Sequence, residues 1–434
     1  MSSAELLGRH RAVMPSWMAL YYDQPLELVG GSGNRVIDAD GNRYLDFFAG
    51  ILTNMVGYDR PEVRDAVLEQ VGRGVVHTST LYLLRAQVEL AERIAALSGI
   101  PDAKVFFTTS GTEANEAALL LATTYRRSNS VIAMRNSYHG RTFATTSITG
   151  NRGWSASSLS PLQVTYAQGA YKLRSQFRDL DDAAYVRACV GDLRELLDTT
   201  TAGDVACMIA EPVQGVGGFA VPPDGLFAAY QEVLAERGIL FVSDEVQTGW
   251  GRTGEHFWGI GAHGVVPDAM TFAKGLAGGH AIGGVVARGD LMDCVNANSI
   301  STFGGNPVSM VAAGAVLDVV LSQDLQANAA KLGALLLSGL RDVGERCPSV
   351  VEVRGKGLMI GIELVGPDGY APDPGGAARV LEQARRLGLL VGKGGLHGNV
   401  LRVAPPMTLT EAEAQEGLDI LTAAIEAVDQ ENRA

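Results

Sequence analysis

Cysteine is scarce in this chain, and so is charge. The four cysteines, Cys189, Cys207, Cys294 and Cys347, are far apart in 434 residues. They form no CxxC pair and have no histidine at ligand spacing, so neither a disulfide framework nor a zinc site is expected. They read as free thiols of a reducing compartment. Charged residues make up only 19% of the chain, and 35 Lys plus Arg stand against 48 Asp plus Glu, for a formal net charge of −13. That shortage of positive charge argues against nucleic acid or an anionic membrane as the main partner, although one arginine suffices for a small anion. No stretch reaches the roughly 18 to 20 charge-free apolar residues that a membrane span requires, and the opening MSSAELLGRHRAVMPSW has no apolar signal core. A soluble, cytoplasmic protein is expected. Low-complexity tracts are absent, and a hydrophobic content of 47% places the chain among folded globular proteins.

Glycine, by contrast, is abundant: 53 residues against a usual share of about 7%, without a regular period. Turns and close ligand approaches are the physical reasons to look for. After a polar and aromatic arm over residues 1–30, NRVIDADGNRYLDFF (34–48) reads as two short strands joined at Asp40-Gly41-Asn42. Helical spacing follows over 61–71 and 86–97, with Pro61 suited to a first turn. Between 104 and 290 short apolar runs alternate with helical stretches: KVFFTT, VIAMR, VTYA, VACMIAEPV, GILFVSDEV, AMTFAK and GGVVAR. This is the pattern of an α/β domain with a mainly parallel sheet covered on both faces. Beyond about 310 an Ala/Leu-rich helix, further short strands and a last helix from 410 suggest a smaller α+β domain. The expected division is 1–60, arm and hairpin belonging to the small domain; 61–310, the large ligand-binding domain; and 311–434, the remainder of the small domain.

Ligands of such sheets bind beyond the carboxyl ends of the strands, which directs attention to the polar residues closing these runs: Ser110, Glu211, Asp244 and Lys274. A lysine leaving a buried strand loses hydration, which favours its neutral amine, and a neutral amine condenses with an aldehyde. An unpaired carboxylate at Asp244, after GILFVS, would be costly; a protonated ring nitrogen would supply the missing partner. Ser110, Gly111 and Thr112 open an Ala-rich helix whose free backbone N–H groups suit a phosphate. Lys274 and the Ser110 turn have ordinary structural alternatives when taken alone: a solvated lysine and an N-cap. Together they describe what pyridoxal phosphate requires of its protein.

At this point the chain resembles the class III aminotransferases, the ornithine or 4-aminobutyrate type. The matching blocks are SGTEANEAA (110–118), YHGRT (138–142), EPVQGVGG (211–218), SDEVQTGWGRTG (243–254), PDAMTFAKGLAGG (267–279), TFGGNP (302–307), RGKGLMIGIE (354–363) and LRVAPP (401–406). The resemblance implies pyridoxal-phosphate transferase fold type I, pyridoxal 5'-phosphate as cofactor, and amino transfer from an amino acid or amine to a small keto acid such as pyruvate, glyoxylate or 2-oxoglutarate. It implies that Lys274 is the Schiff-base lysine and proton carrier, and that Asp244 keeps the pyridine nitrogen protonated. Ser110, Gly111 and Thr112 match the phosphate loop, Tyr138 the ring stacked on the cofactor with His139 beside it, Gln247 the contact to the phenolic oxygen, and Val246 the opposite face. Thr302 matches a hydroxyl sent from a neighbouring subunit, implying a homodimer or a dimer of dimers. Arg402 matches the arginine that grips an α-carboxylate, Glu211 the acid that pairs with it when no carboxylate is bound, and Arg141 a second anion position of acetylornithine and ornithine aminotransferases.

The block DFFAGILTNMVGYDRPEV departs from the family pattern, with Tyr58 where a histidine is usual and Thr53, Asn54 and Met55 in place of small apolar residues. Trp17, Tyr21 and Met55 are candidates for the substrate pocket by resemblance, with core packing as the alternative. The stretches HFWGIGAHGVVPD and GGNPVSMVAAGAVLDVV are most like the alanine–glyoxylate aminotransferase 2 branch, in which Phe257 and Trp258 are structural. A decarboxylating transaminase or an aminomutase or epimerase uses the same scaffold, and a non-catalytic pyridoxal-phosphate-binding protein is the reading from a different class. A nucleotide-dependent oxidoreductase is disfavoured by the lack of GxGxxG after a first strand.

Overall fold

The computed structural model describes residues 3–433. Seven strands form the central sheet, in the spatial order Ala103–Thr108, Gly283–Arg288, Ala269–Ala273, Leu240–Asp244, Cys207–Ala210, Ser130–Met134 and Gln163–Ala167. All seven runs read as strands from the sequence are present. The five from Ala269–Ala273 to Gln163–Ala167 pair parallel, while Gly283–Arg288 runs antiparallel to both its neighbours. Every residue of Leu240–Asp244 and Ala269–Ala273 is buried, because helices cover both faces and an apolar side chain is favoured in either direction.

The parallel arrangement sends the carboxyl ends of these strands to one rim. Asp244 is the last residue of its strand, Lys274 the first after its own, and Glu211 the first after Cys207–Ala210. On the same side the helix Gly111–Arg126 begins at Ser110, whose hydroxyl caps it by accepting from the Glu113 N–H at 3.2 Å.

The expected hairpin forms from Arg35–Asp38 and Arg43–Asp46, paired antiparallel. Two elements of the arm were not expected, a helix at Ser3–Val13 and a strand at Leu28–Ser32. Leu389–Leu390 joins this sheet by pairing parallel with Leu45 and Asp46, so the first 50 residues and the C-terminal portion share one sheet. A second four-stranded sheet contains Val350–Lys356, Met359–Leu364, Val400–Val403 and Gly392–Gly394. The boundary expected at 310 falls inside the continuous helix Pro307–Ser322, which packs on the helices Pro61–Gly72 and Arg85–Ser98 of the large domain. That helix ends at Ser322, and at Asp324, where φ is +46, the chain bends by 65° into Leu325–Arg346. Among the described residues no single helix is long and apolar enough to cross a membrane.

Candidate active site

A cavity of about 320 Å³ opens at the carboxyl rim of the sheet, at the small end of the usual range for ligand pockets, roughly 300 to 1,000 Å³. Ten of the residues singled out from the sequence line it: Ser110, Gly111, Thr112, Tyr138, His139, Glu211, Asp244, Val246, Gln247 and Lys274. They come from five separate stretches of chain, so the fold has gathered what the sequence scattered.

Lys274 sits where the chain leaves its strand, with φ at +47, a conformation that is uncommon for a residue with a side chain. Burial lowers the pKa of its ammonium to about 8; the positive charge of Arg402 adds to this, while Asp244 and Glu211 oppose it. Gly275 behind it has no space for a side chain, since a Cβ there would lie 2.8 Å from Met55 Cβ and 3.0 Å from the Leu52 carbonyl oxygen.

Asp244 is buried and held from three directions. Its Oδ2 accepts from Asn115 Nδ2 at 2.7 Å and lies 2.7 Å from His139 Nδ1, and its Oδ1 accepts from the Val246 N–H at 3.1 Å. Asn115 is fixed in turn, donating to the His139 carbonyl at 2.8 Å and accepting from the Thr271 hydroxyl at 2.7 Å. Sequence reasoning missed Asn115 and Thr271. The available signal was an amide in an Ala-rich helix and a lone hydroxyl within the apolar strand AMTFA.

The cavity wall suits a planar ring bearing a phosphate. Val246 approaches the Ser110–Thr112 turn so closely that a Cβ on Gly111 would lie 3.0 Å from both its methyl groups. Gly140, at φ +144, brings the chain within reach of Thr112; a Cβ would lie 2.7 Å from that hydroxyl. Two buried polar atoms of lining residues, His139 Nε2 and Gln247 Oε1, have no protein partner. Gln247 fits because residue 215 is glycine, where a Cβ would overlap its amide nitrogen at 2.1 Å.

The substrate candidates are placed differently. Glu211 is not paired with Arg402: its two oxygens accept from the backbone N–H groups of Tyr138 at 2.9 Å and Gly215 at 2.8 Å. Burial pushes its pKa up to about 7, with Asp244 adding to and His139 opposing the shift. Two fixed backbone donors hold the carboxylate where it is. Arg402 is buried, and its Nη1 donates to the Gly215 carbonyl at 3.3 Å and its Nη2 to the Lys393 carbonyl at 3.0 Å and the Tyr21 hydroxyl at 3.1 Å. Its guanidinium lies over Phe48, 4.8 Å from the ring centre.

Met55 is 1% exposed and does not line the cavity; it packs against Gly275 from beneath, which is core packing rather than substrate contact. Trp17 is 67% exposed, lying 5.4 Å from the Arg141 guanidinium, and Arg141 is itself exposed outside the cavity. Thr302 is also exposed and away from this chain's own cavity.

The departing block adopts an unusual backbone. Ala49, Gly50, Ile51 and Leu52 have φ of +49, +62, +65 and +64 in succession, a left-handed turn that side chains resist. Asp46 Oδ1 anchors it by accepting from the N–H groups of Phe48 and Ala49, and Asp46 Oδ2 accepts from the Tyr58 hydroxyl. Tyr58 thus supports the turn that carries Thr53 to the cavity wall and Leu52 to Gly275.

The family model for class III aminotransferases matches residues 19–425. The chain belongs to the class III aminotransferases. It is 38% identical over 417 residues to alanine–glyoxylate aminotransferase 2 homolog 2, mitochondrial, of Arabidopsis thaliana, covering 95% of this chain and 85% of that one. It is 37% identical over 422 residues to acetylornithine aminotransferase of Methanothermobacter thermautotrophicus, covering 97% and 98%. A crystal structure of an amine transaminase from an uncultivated Pseudomonas species, in a pyridoxal-phosphate-bound form, superposes with a TM-score of 0.87 at 33% identity, over 96% of this chain and 98% of that one. This class III aminotransferase has fold type I, uses pyridoxal phosphate and transfers amino groups.

Proposed function

We propose that this enzyme moves an amino group from an amino acid or amine to a small keto acid, pyruvate, glyoxylate or 2-oxoglutarate, in two half-reactions with ping-pong kinetics. The observation that carries this reading is the placement of Lys274 and Asp244 on neighbouring strands around one cavity. Pyridoxal phosphate supplies an aldehyde that captures the donor amine and a pyridinium ring that draws electron density from it. Asp244, oriented by Asn115 and His139, holds a proton on the ring nitrogen. Lys274 Nζ, whose pKa burial brings down to about 8 so that a fraction of it is neutral at physiological pH, accepts the proton leaving the donor carbon and gives it back. Ser110, Gly111 and Thr112 bind the phosphate at the helix start, Tyr138 and Val246 bracket the ring, and Gln247 supplies its unpaired oxygen towards the phenolic hydroxyl. Arg402 holds the substrate carboxylate, with Arg141 at a second anion position near Tyr138.

The same reading makes the enzyme a cytoplasmic homodimer in which Thr302 reaches the phosphate of the neighbouring subunit. Support comes from an exposed apolar surface. Leu81, Tyr82 and Leu83 are 70%, 69% and 97% exposed, and Phe303, next to Thr302, is 60% exposed and stacks on His77 at 4.6 Å. So large a set of exposed apolar side chains fits burial by a second copy. The four free cysteines fit a reducing compartment.

The test is a donor panel of α-amino acids, ω-amino acids, diamines and amino sugars against pyruvate, glyoxylate and 2-oxoglutarate. Turnover that needs a keto acid and releases no carbon dioxide supports transamination. Turnover without keto acid assigns the chain to epimerase or aminomutase chemistry instead.

A further inference from the structure

Arg402 is 2% exposed, and every partner it has is neutral: two backbone carbonyls and the Tyr21 hydroxyl. Among the described residues none of its hydrogen-bond partners is a carboxylate. Its Nε is buried and has no partner at all. A buried guanidinium in this state is undercompensated, and an anion entering the site relieves it.

The geometry also says which edge of the guanidinium is available. Nε and Nη2 form the side-on fork that takes the two oxygens of a carboxylate. Space beside Nε exists because residue 394 has no side chain; a Cβ there would lie 2.8 Å from Nε. Nη2, the other half of the fork, donates to the Tyr21 hydroxyl as well as to the Lys393 carbonyl. The remaining acceptors, the carbonyls of Gly215 and Lys393, belong to buried or paired backbone, whereas Tyr21 lies on the irregular N-terminal segment between Val13 and Leu28 and is 36% exposed. Its hydroxyl donates to the Lys393 carbonyl at 3.2 Å, so that a lone pair faces Arg402. The Tyr21 ring rests on Phe48 at 5.8 Å, and Phe48 also lies under the guanidinium.

We propose that Tyr21 is a specificity-determining residue whose hydroxyl competes with the substrate carboxylate for Nη2 of Arg402. The inference rests on Arg402 being the carboxylate clamp of the transaminase reading. The strap is a placeholder: with it docked, a donor that bears a carboxylate must displace the Tyr21 hydroxyl to engage both halves of the fork, and a donor without one does not. Selectivity for amino acids over plain amines is thereby set partly by a residue outside the cavity wall. Trp17, four residues earlier and beside Arg141, is on the same strap and reports its release.

The test uses the holoenzyme and propionate, which offers a carboxylate and no amine. In Tyr21→Phe the calorimetric Kd for propionate falls by about three- to tenfold, the scale of one competing hydrogen bond. In Gly394→Ala, where the methyl group crowds Nε, it rises by at least a similar factor. In the unsubstituted enzyme, saturating propionate changes the fluorescence that is lost in Trp17→Phe. An unchanged or higher Kd in Tyr21→Phe, or binding of propionate with no Trp17 response, overturns the proposal. Bleaching of the bound cofactor by L-alanine in the unsubstituted enzyme tests the transaminase reading separately. If bleaching occurs and the propionate results fail, the strap is wrong while the enzyme reading stands; if propionate binds as expected and no donor bleaches the cofactor, the enzyme reading is the one that fails.

Discussion

Asp244 and Asn115 are joined by a 2.7 Å hydrogen bond across two layers, from the buried end of a strand to the second turn of a helix. Because Asn115 also holds Thr271 and the His139 carbonyl, the carboxylate is pre-aimed before any ligand arrives. Replacing Asp244 by Asn keeps the shape and removes the charge. The expected result is a folded protein whose half-reaction with a good donor is slower by on the order of 10³-fold, followed by stopped-flow absorbance. Asn115→Ala removes one hydrogen bond to a charged group, for a loss of about 10- to 100-fold.

Lys274 yields a pH prediction. Its pKa in the folded protein is lowered to about 8, and only the neutral amine condenses with an aldehyde. The rate at which the cofactor-free enzyme captures pyridoxal phosphate therefore rises with pH through about 8 and levels off above it. Absorbance of the bound cofactor follows this directly. After borohydride reduction the unsubstituted enzyme keeps the cofactor attached through denaturation, whereas Lys274→Ala keeps none.

Glu211 has its pKa raised from 4.5 to about 7, so the unfolded chain loses this proton first as pH rises. The stability associated with the protonated form is complete below about 4.5 and is lost as pH passes through about 7. Glu211→Gln removes this contribution, and its stability curve is correspondingly flatter over that interval. At pH 8 the substitution also leaves one of the two backbone N–H groups facing an amide NH2, a loss of about 1–3 kcal/mol. Denaturant melts at several pH values measure both effects.

Gly215→Ala places a methyl group 2.1 Å from Gln247 Nε2. The flexible amide yields, so the fold persists while the Gln247 contact is lost. Cofactor affinity is expected to fall by about tenfold, measured by equilibrium dialysis.

Much of this was legible in the residues themselves. The large-domain strands announced themselves as apolar runs because both faces of the sheet are covered, and the polar residues ending those runs had one rim to meet at. What escaped notice depends on which way side chains turn. Asn115 and Thr271 looked like ordinary helix and strand residues until the fold placed them behind Asp244. Met55 sits in a block that the family resemblance brings to the substrate pocket, yet the left-handed turn at 49–52 carries it beneath Gly275. The pairing of Glu211 with Arg402 is what the family resemblance implies, but two backbone N–H groups already claim the acid.

The parallel pairing of Leu389–Leu390 with Leu45 and Asp46 bears on how the chain is made. A segment near the start must wait for one that emerges more than 340 residues later, so the sheet they share closes only when synthesis is nearly finished. The large domain has its strands between residues 103 and 288 and is free to fold first. During that interval Asp46 and the turn it anchors lack their neighbouring strand, so the wall beneath Lys274 sets after the strands that lead to Lys274 and Asp244.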